Sequence, residues 1–459
     1  MRKKSIRVLK RCIFILLGFT LCAMTGLFYW VQRSGELQPW HTFVPNELRE
    51  NEIDRADWDD YINAENALFM EVHNNVVMKQ TDQDTTSLNR YNPSSPVFPD
   101  TLPTDWNRSY IMRPQAEPRG AVVLLHGLTD SPYSLQHIAR LYQKEGFVAI
   151  GIRLPAHGTV PGALTDVKWQ DWLAATRLAV REATKMTHAD APLHIVGFSN
   201  GGALAMKYAI DALDDESLKK PQQIVLISPM IGISRFARFS GMAEWTAFLP
   251  AFSRAALLGL VPEFNPFKYN SFPVNGARQA YLLTESLKRE LNRRNSSSRW
   301  KEFPHVLTFQ SVLDSTVSTR AVLDVLHQNL PDNGSELVLF DINRAVNFRA
   351  LFRHSSDRAL SHLLATPERT FTTTIVKNAS SESMKMVAST HLAHTTTADV
   401  QPLNLLYPRD VFSLSHVALP FPVHDSLYGS EPYEPNRYGL SLGILRVRGE
   451  RAVLLADMD

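Results

Sequence analysis

The chain is poor in cysteine: of 459 residues only Cys12 and Cys22 carry a thiol. From residue 23 onward there is none, which excludes a disulfide framework, thiolate metal ligands and a cysteine nucleophile from the body. An excess of charge of one sign is missing as well. The 48 Lys and Arg stand against 46 Asp and Glu, a formal +2, so nothing points to a nucleic-acid partner. There is no internal repeat, metal-ligand cluster, phosphate-binding loop or dinucleotide fingerprint; RLPAHGTVPG, Arg153 to Gly162, is not a Rossmann glycine motif. No cofactor and no metal are expected.

What charge there is lies unevenly. Arg2, Lys3, Lys4, Arg7, Lys10 and Arg11 precede any acid, leaving 42 basic residues against 46 acidic ones in the rest. After this basic tip (1–11), Cys12 to Val31 reads CIFILLGFTLCAMTGLFYWV without a charge. Twenty such residues match the roughly 30 Å of a bilayer core. The run is longer than a signal peptide's apolar region and no clear small-x-small site ends it. The expectation is an uncleaved single-pass anchor with a cytoplasmic N-terminus, placing the body on the other side, periplasmic or extracytoplasmic.

At 44% apolar and 20% charged residues, the chain has the composition of a packed globular protein. Residues 32–107 are set apart as stalk and linker. Pro45 to about Lys79 has a helical pattern, with Trp58, Tyr61, Leu68, Phe69 and Val72 near one face, and is either a stalk or a helix packed on the body. Thr81 to Asn107 is rich in Pro, Ser, Asp and Asn, the composition of a linker or a surface-hugging loop. The domain proper is expected from 108 to 459. Short apolar runs at Ala121–Leu125, Phe147–Ile152, His194–Gly197, Gln223–Ser228, His305–Gln310 and Glu336–Asp341 read as strands buried on both faces. Helical patterns at about 132–144, Lys168–Ala183, Gly201–Leu213 and Arg320–Leu330 alternate with them. That rhythm predicts right-handed βαβ units and a mostly parallel sheet. It breaks at about 230–298, where Phe236, Phe239, Trp245, Phe248 and Phe252 occur without a clear strand, as a helical cap inserted between two strands would.

Gly197-Phe198-Ser199-Asn200-Gly201 has the form G-x-S-x-G, between an apolar strand and a small-residue helix. That is the context of a nucleophile elbow, in which a sharp turn frees the serine Oγ above the sheet. A serine hydroxyl needs a base and an oxyanion hole. Leu125–Ser131, leaving the first strand, supplies one hole donor, so the backbone N–H groups of Leu128 and Asn200 are the candidates. The acid is expected after a later strand: Asp314, in the polar loop following Val306–Gln310, with Asp341 the alternative. Seven histidines follow Asp314. His327, His354 and His362 sit in helical patterns, and His391 and His394 in a Thr-rich stretch. His416 opens a loop closed by Pro420 and Pro422 after the strand-like Val411–Leu414. It is the preferred base, with His424 and His354 next.

HGLTDSPYSL, RLPAHGT and VGFSNGGALA together resemble the monoacylglycerol-lipase and serine-aminopeptidase branch of the α/β-hydrolase superfamily over about Ser109 to Asp341. The resemblance implies an α/β-hydrolase fold, Ser199 and Asp314 as nucleophile and acid, and an esterase acting on acyl or lipid-like esters. Two departures stand out: Asn200 where the branch more often has a small or apolar residue, and a wide gap between Asp341 and His416. Residues Asn343–Pro408 are therefore read as an insertion, and His157 as structural. An acyltransferase, an aminopeptidase with the same triad, and an inactive membrane-bound binding protein are the alternatives.

Overall fold

The computed structural model describes Gly18, residues 36–80, 88–232, 257–259, 262–294, 298–342 (without 313 and 315) and 368–407 (without 381), then 416, 419–422, 425, 427, 439–442 and 445–448. The expected anchor, Gly18 apart, and the cap residues Phe236 to Phe252 lie outside these. Among the described residues no helix is long and apolar enough to cross a membrane.

A ten-stranded sheet organises the described residues. Its strands are β1 (Tyr110–Met112), β2 (Gly120–Leu125), β3 (Phe147–Ile152), β4 (Leu193–Phe198), β5 (Gln223–Ile227), β6 (His305–Ser311), β7 (Glu336–Asp341), β8 (Thr372–Asn378), β9 (Lys385–His391) and β10 (Asp399–Leu406). They lie in the order β1-β3-β2-β4-β5-β6-β7-β8-β9-β10. From β3 to β8 neighbours are parallel; β1, β9 and β10 are antiparallel additions. The apolar runs of β2 and β3 are buried throughout because both faces are covered. On one face, Ala121, Val123 and Leu125 join a core with α3 (Trp169–Lys185) and α4 (Asn200–Asp214). On the other, Val122 and Leu124 meet Leu135 and Ala139 beside α2 (Gln136–Lys144).

Of the two readings of residues 45–79, the structure has the packed one. α1 (Trp58–Val72), capped by Asp57 accepting from Asp60 N–H at 2.9 Å, buries Trp58, Tyr61, Glu65, Leu68 and Val72. Residues 88–107 are likewise bound to the body, Arg90 Nη2 donating to Asn107 Oδ1 (3.0 Å) and to Gly158 O (2.9 Å). In the cap region, Leu257–Gly259 pairs with Phe272–Pro273 before α5 (Val274–Arg294) begins; a ribbon this short leaves no periodicity to read. The insertion after Asp341 is not set off from the sheet. Its described part extends the sheet by β8, β9 and β10, β8 pairing in parallel with β7.

Among the described residues three histidines are fully buried. His126 is held well below its usual range by burial, then by neighbouring His157, with Arg153 adding a smaller push against a bond to Gly127 O. Burial carries His157 down to about 4 and His327 to about 3. Unfolded, each titrates near 6.5, so between these values the unfolded chain binds more protons than the folded one. Stability is fully present above pH 6.5 and is lost as pH falls toward 4, by about 3 kcal/mol from His157 alone. Urea midpoints measured from pH 7.5 to 4.5 should fall accordingly; a flat profile would refute this.

Candidate active site

β4 carries Ser199 to the carboxyl edge of the sheet, where it caps α4. Its φ of 54° and ψ of −115° lie in a region that costs a side-chain-bearing residue about 1–3 kcal/mol. Bonds on both sides of the residue hold it there. Ser199 N–H donates to Ile227 O (3.0 Å), while Gly202 N–H (3.0 Å) and Met230 N–H (2.9 Å) donate to Ser199 O. The flanking glycines answer to backbone contact rather than to room around Ser199. A Cβ on Gly201 would fall 1.9 Å from Leu125 O, and one on Gly197 would fall 2.4 Å from Gly201 O. Strand and helix therefore meet main chain to main chain.

The candidate hole donors flank this elbow. Asn200 is the first residue of α4, where N–H groups have no acceptor within the helix. Leu128 follows Gly127, whose Cβ, if it had one, would lie 3.2 Å from Ser199 Cβ. The loop bearing Leu128 is braced at two points. Leu154 N–H donates to His126 Nε2 (3.0 Å), which leaves the ring proton on Nδ1, where it donates to Gly127 O (2.9 Å). Tyr269 N–H donates to Thr129 O (2.7 Å), fixing a residue at φ 63°. His157 supports this brace as the sequence suggests, its ring 5.0 Å from that of His126 and 5.7 Å from that of Trp172.

Beyond β6, the structure brings Asp314 and His416 together, Nδ1 to Oδ2 at 3.1 Å, across 102 residues of sequence. Both are buried, and the His416 ring packs 5.1 Å from that of Phe198, the residue before Ser199. Asp314 Oδ1 accepts the N–H groups of Thr316 (2.8 Å) and Val317 (3.0 Å). Burial pushes this carboxyl up, but His416 and these two amides outweigh it and hold the group below its usual range. The alternative acid, Asp341, ends β7 and faces Lys377 in register on β8. Among the other histidines, His327 is buried against Thr308 (2.9 Å), His391 ends β9, and His394 meets Asp332 at the surface (2.9 Å). His354, His362 and His424 lie outside the described residues. Sequence reading missed Gln310, which donates to Asp314 Oδ2 (3.2 Å); a glutamine four residues before the acid, inside an apolar strand, was the available signal. Among the described residues no group of three or more His, Cys, Asp or Glu side chains is placed to hold a metal ion.

The strand order and the elbow after β4 are those of an α/β-hydrolase fold. Residues 116–295 match the family model described as serine aminopeptidase, S33, a stretch that includes Ser199 and ends before Asp314. The thermostable monoacylglycerol lipase of Bacillus sp. (strain H-257) is 28% identical over 88 residues, 19% of this chain and 34% of that enzyme. The alignment thus spans about a third of that relative's length. Among solved structures, a metagenome-derived lipolytic enzyme is similar at 21% identity, over 57% of this chain and 98% of its own, with a TM-score of 0.42. A soluble variant of the monoglyceride lipase of Saccharomyces cerevisiae, in complex with a substrate analogue, gives 15%, 50%, 81% and 0.39.

Proposed function

We propose that this chain is a serine hydrolase that cleaves carboxylic esters of acyl or lipid-like character, with Ser199 as nucleophile, His416 as base and Asp314 as the acid that orients it. The observation that carries this reading is the Asp314–His416 bond (3.1 Å), formed beside the strained elbow that bears Ser199. With its Nδ1 proton committed to Asp314, His416 has Nε2 free to accept a proton. In the proposed reaction Nε2 takes the Ser199 hydroxyl proton as Oγ attacks the ester carbonyl. The Leu128 and Asn200 amides receive the oxyanion, each worth about 3–4 kcal/mol in the transition state. His416 then returns the proton to the departing alcohol, and water, activated the same way, releases the acid from Ser199.

An acyl substrate is supported by the name of the lipase relative. The charge-free run from Cys12 to Val31 supports the proposal that the enzyme is anchored in a membrane, N-terminus cytoplasmic and catalytic body on the opposite side.

The test is labelling of the full-length protein by a fluorophosphonate, which reacts with an activated serine. Wild type should label, and Ser199→Ala and His416→Ala should both lose it. A wild type that stays unlabelled overturns the hydrolase reading, and labelling that survives His416→Ala removes His416 as the base. With labelling established, p-nitrophenyl esters of increasing acyl length define the acid portion.

A further inference from the structure

Gln310 is fully buried at the end of β6. Its Nε2 lies 3.2 Å from Asp314 Oδ2, 3.1 Å from Thr319 Oγ1 and 3.3 Å from Ser311 O, whereas its Oε1 meets no hydrogen-bond partner. A primary amide has two N–H bonds to give. The Thr319 hydroxyl donates to Ser311 O (2.9 Å), so its oxygen accepts one Gln310 N–H, and the other goes to Asp314. Turning the amide over would set Oε1 against the carboxylate oxygen, acceptor to acceptor. The carboxylate thus fixes the orientation of the amide, at the cost of an unserved oxygen. Oδ2 receives two donors, Gln310 and His416, and Oδ1 receives two backbone amides.

We propose that Gln310 is a positioning residue for the reaction, fixing the Asp314 carboxylate and drawing charge from the same oxygen that His416 uses. The inference rests on the serine-hydrolase reading above. Without this donor the negative charge on Oδ2 falls on His416 alone, which then holds its proton to higher pH, and the carboxylate is freer to turn. Among the described residues, buried Asp130 on the loop after β2 also faces His416 and is itself faced by Lys268. Neither changes when residue 310 is replaced.

The experiment compares wild type with Gln310→Met, of similar length but no donor, and Gln310→Glu, on an ester the wild type hydrolyses. Gln310→Met should lower kcat about tenfold with KM within about twofold, and raise the acid limb of the kcat/KM profile by about half a pH unit. Gln310→Glu sets a second carboxyl beside Oδ2, and two such groups cannot both ionise cheaply. Protonated, the introduced carboxyl donates as the amide does; ionised, it repels Asp314. Activity should approach wild type at low pH and fall as pH rises, a new alkaline limb that a packing defect would not give. Both variants are first checked for a wild-type unfolding transition. A Met variant with unchanged kcat and profile, or a Glu variant depressed equally at every pH, overturns the inference and leaves the hydrolase reading standing. A wild type unreactive toward fluorophosphonate overturns both.

Discussion

Arg153→Ala is expected to cost about 3–5 kcal/mol of stability, the range for removing one partner of a buried ion network. Arg153 is 2% exposed. Its Nη1 and Nη2 donate to the two carboxylate oxygens of Glu47 (2.8 and 3.0 Å), its Nε to Glu65 (3.0 Å), and Nη1 also to His157 O (3.1 Å). Burial drives the Glu65 carboxyl upward, opposed chiefly by Arg153 and secondarily by Ser109. Alanine would leave two acids enclosed without a cation. Against a typical total of about 5–15 kcal/mol, that is a large fraction, and the melting temperature should drop by roughly 10 °C. The deficit relative to wild type should shrink on mild acidification, because a Glu65 that cannot be paired is protonated above its unfolded range and no longer buries a charge. A variant that melts within about 2 °C of wild type would show the network to be dispensable. Local consequences follow too. Glu47 also accepts from Ala156 N–H (2.8 Å), so the network secures the turn that, through Leu154 and His126, steadies the Leu128 loop.

Asp314→Asn should leave the protein folded and slow ester hydrolysis by about 10⁴-fold. The Thr316 and Val317 amides demand an acceptor at Oδ1, so the asparagine oxygen settles there and its NH₂ takes the place of Oδ2. It then confronts two donors, His416 Nδ1–H and Gln310 Nε2–H. The imidazole can relieve the conflict only by moving its proton to Nε2, the atom required to accept from Ser199. Fluorophosphonate labelling and kcat should fall together, with the urea midpoint close to wild type. A loss of less than about tenfold would mean that Asp314 does not orient the base, and Asp341 would become the acid to test.

Much of this was legible in the residues. Strands covered on both faces read as unbroken apolar runs, and Phe147–Ile152 and Glu336–Asp341 coincide with β3 and β7 to the residue. The elbow could be read because its glycines are dictated by backbone contact. His416 was marked by the prolines closing its loop. The N-terminal bracing was not legible in the same way. Glu65 occupies a place in the stripe Trp58, Tyr61, Leu68 and Val72, where a carboxylate signals a buried partner, but that partner is 88 residues away and pairing at such range leaves no local pattern. β8 was hidden for another reason. Its TTTIVKN alternates only weakly between buried and half-buried positions, since a strand on a sheet's flank is covered less completely than one at its centre. His416 lies against Asp314, and the three strands ahead of it, β8, β9 and β10, fall in what the residues alone present as a plain insertion.

The distances along the chain between parts of the candidate site set an order of assembly. Glu47 and Arg153 are 106 residues apart, and Asp314 and His416 are 102 apart. Ser199 and its elbow need only the strands around them, all made early in a chain synthesised from its N-terminus. His416, the proposed base, comes from the far end of the chain, beyond β8, β9 and β10 in sequence, and such distant pairings are slow to form. A nascent or truncated chain can therefore own a finished elbow and still be chemically mute. On the proposed reading, Ser199 would gain its partner only once these distant segments have met.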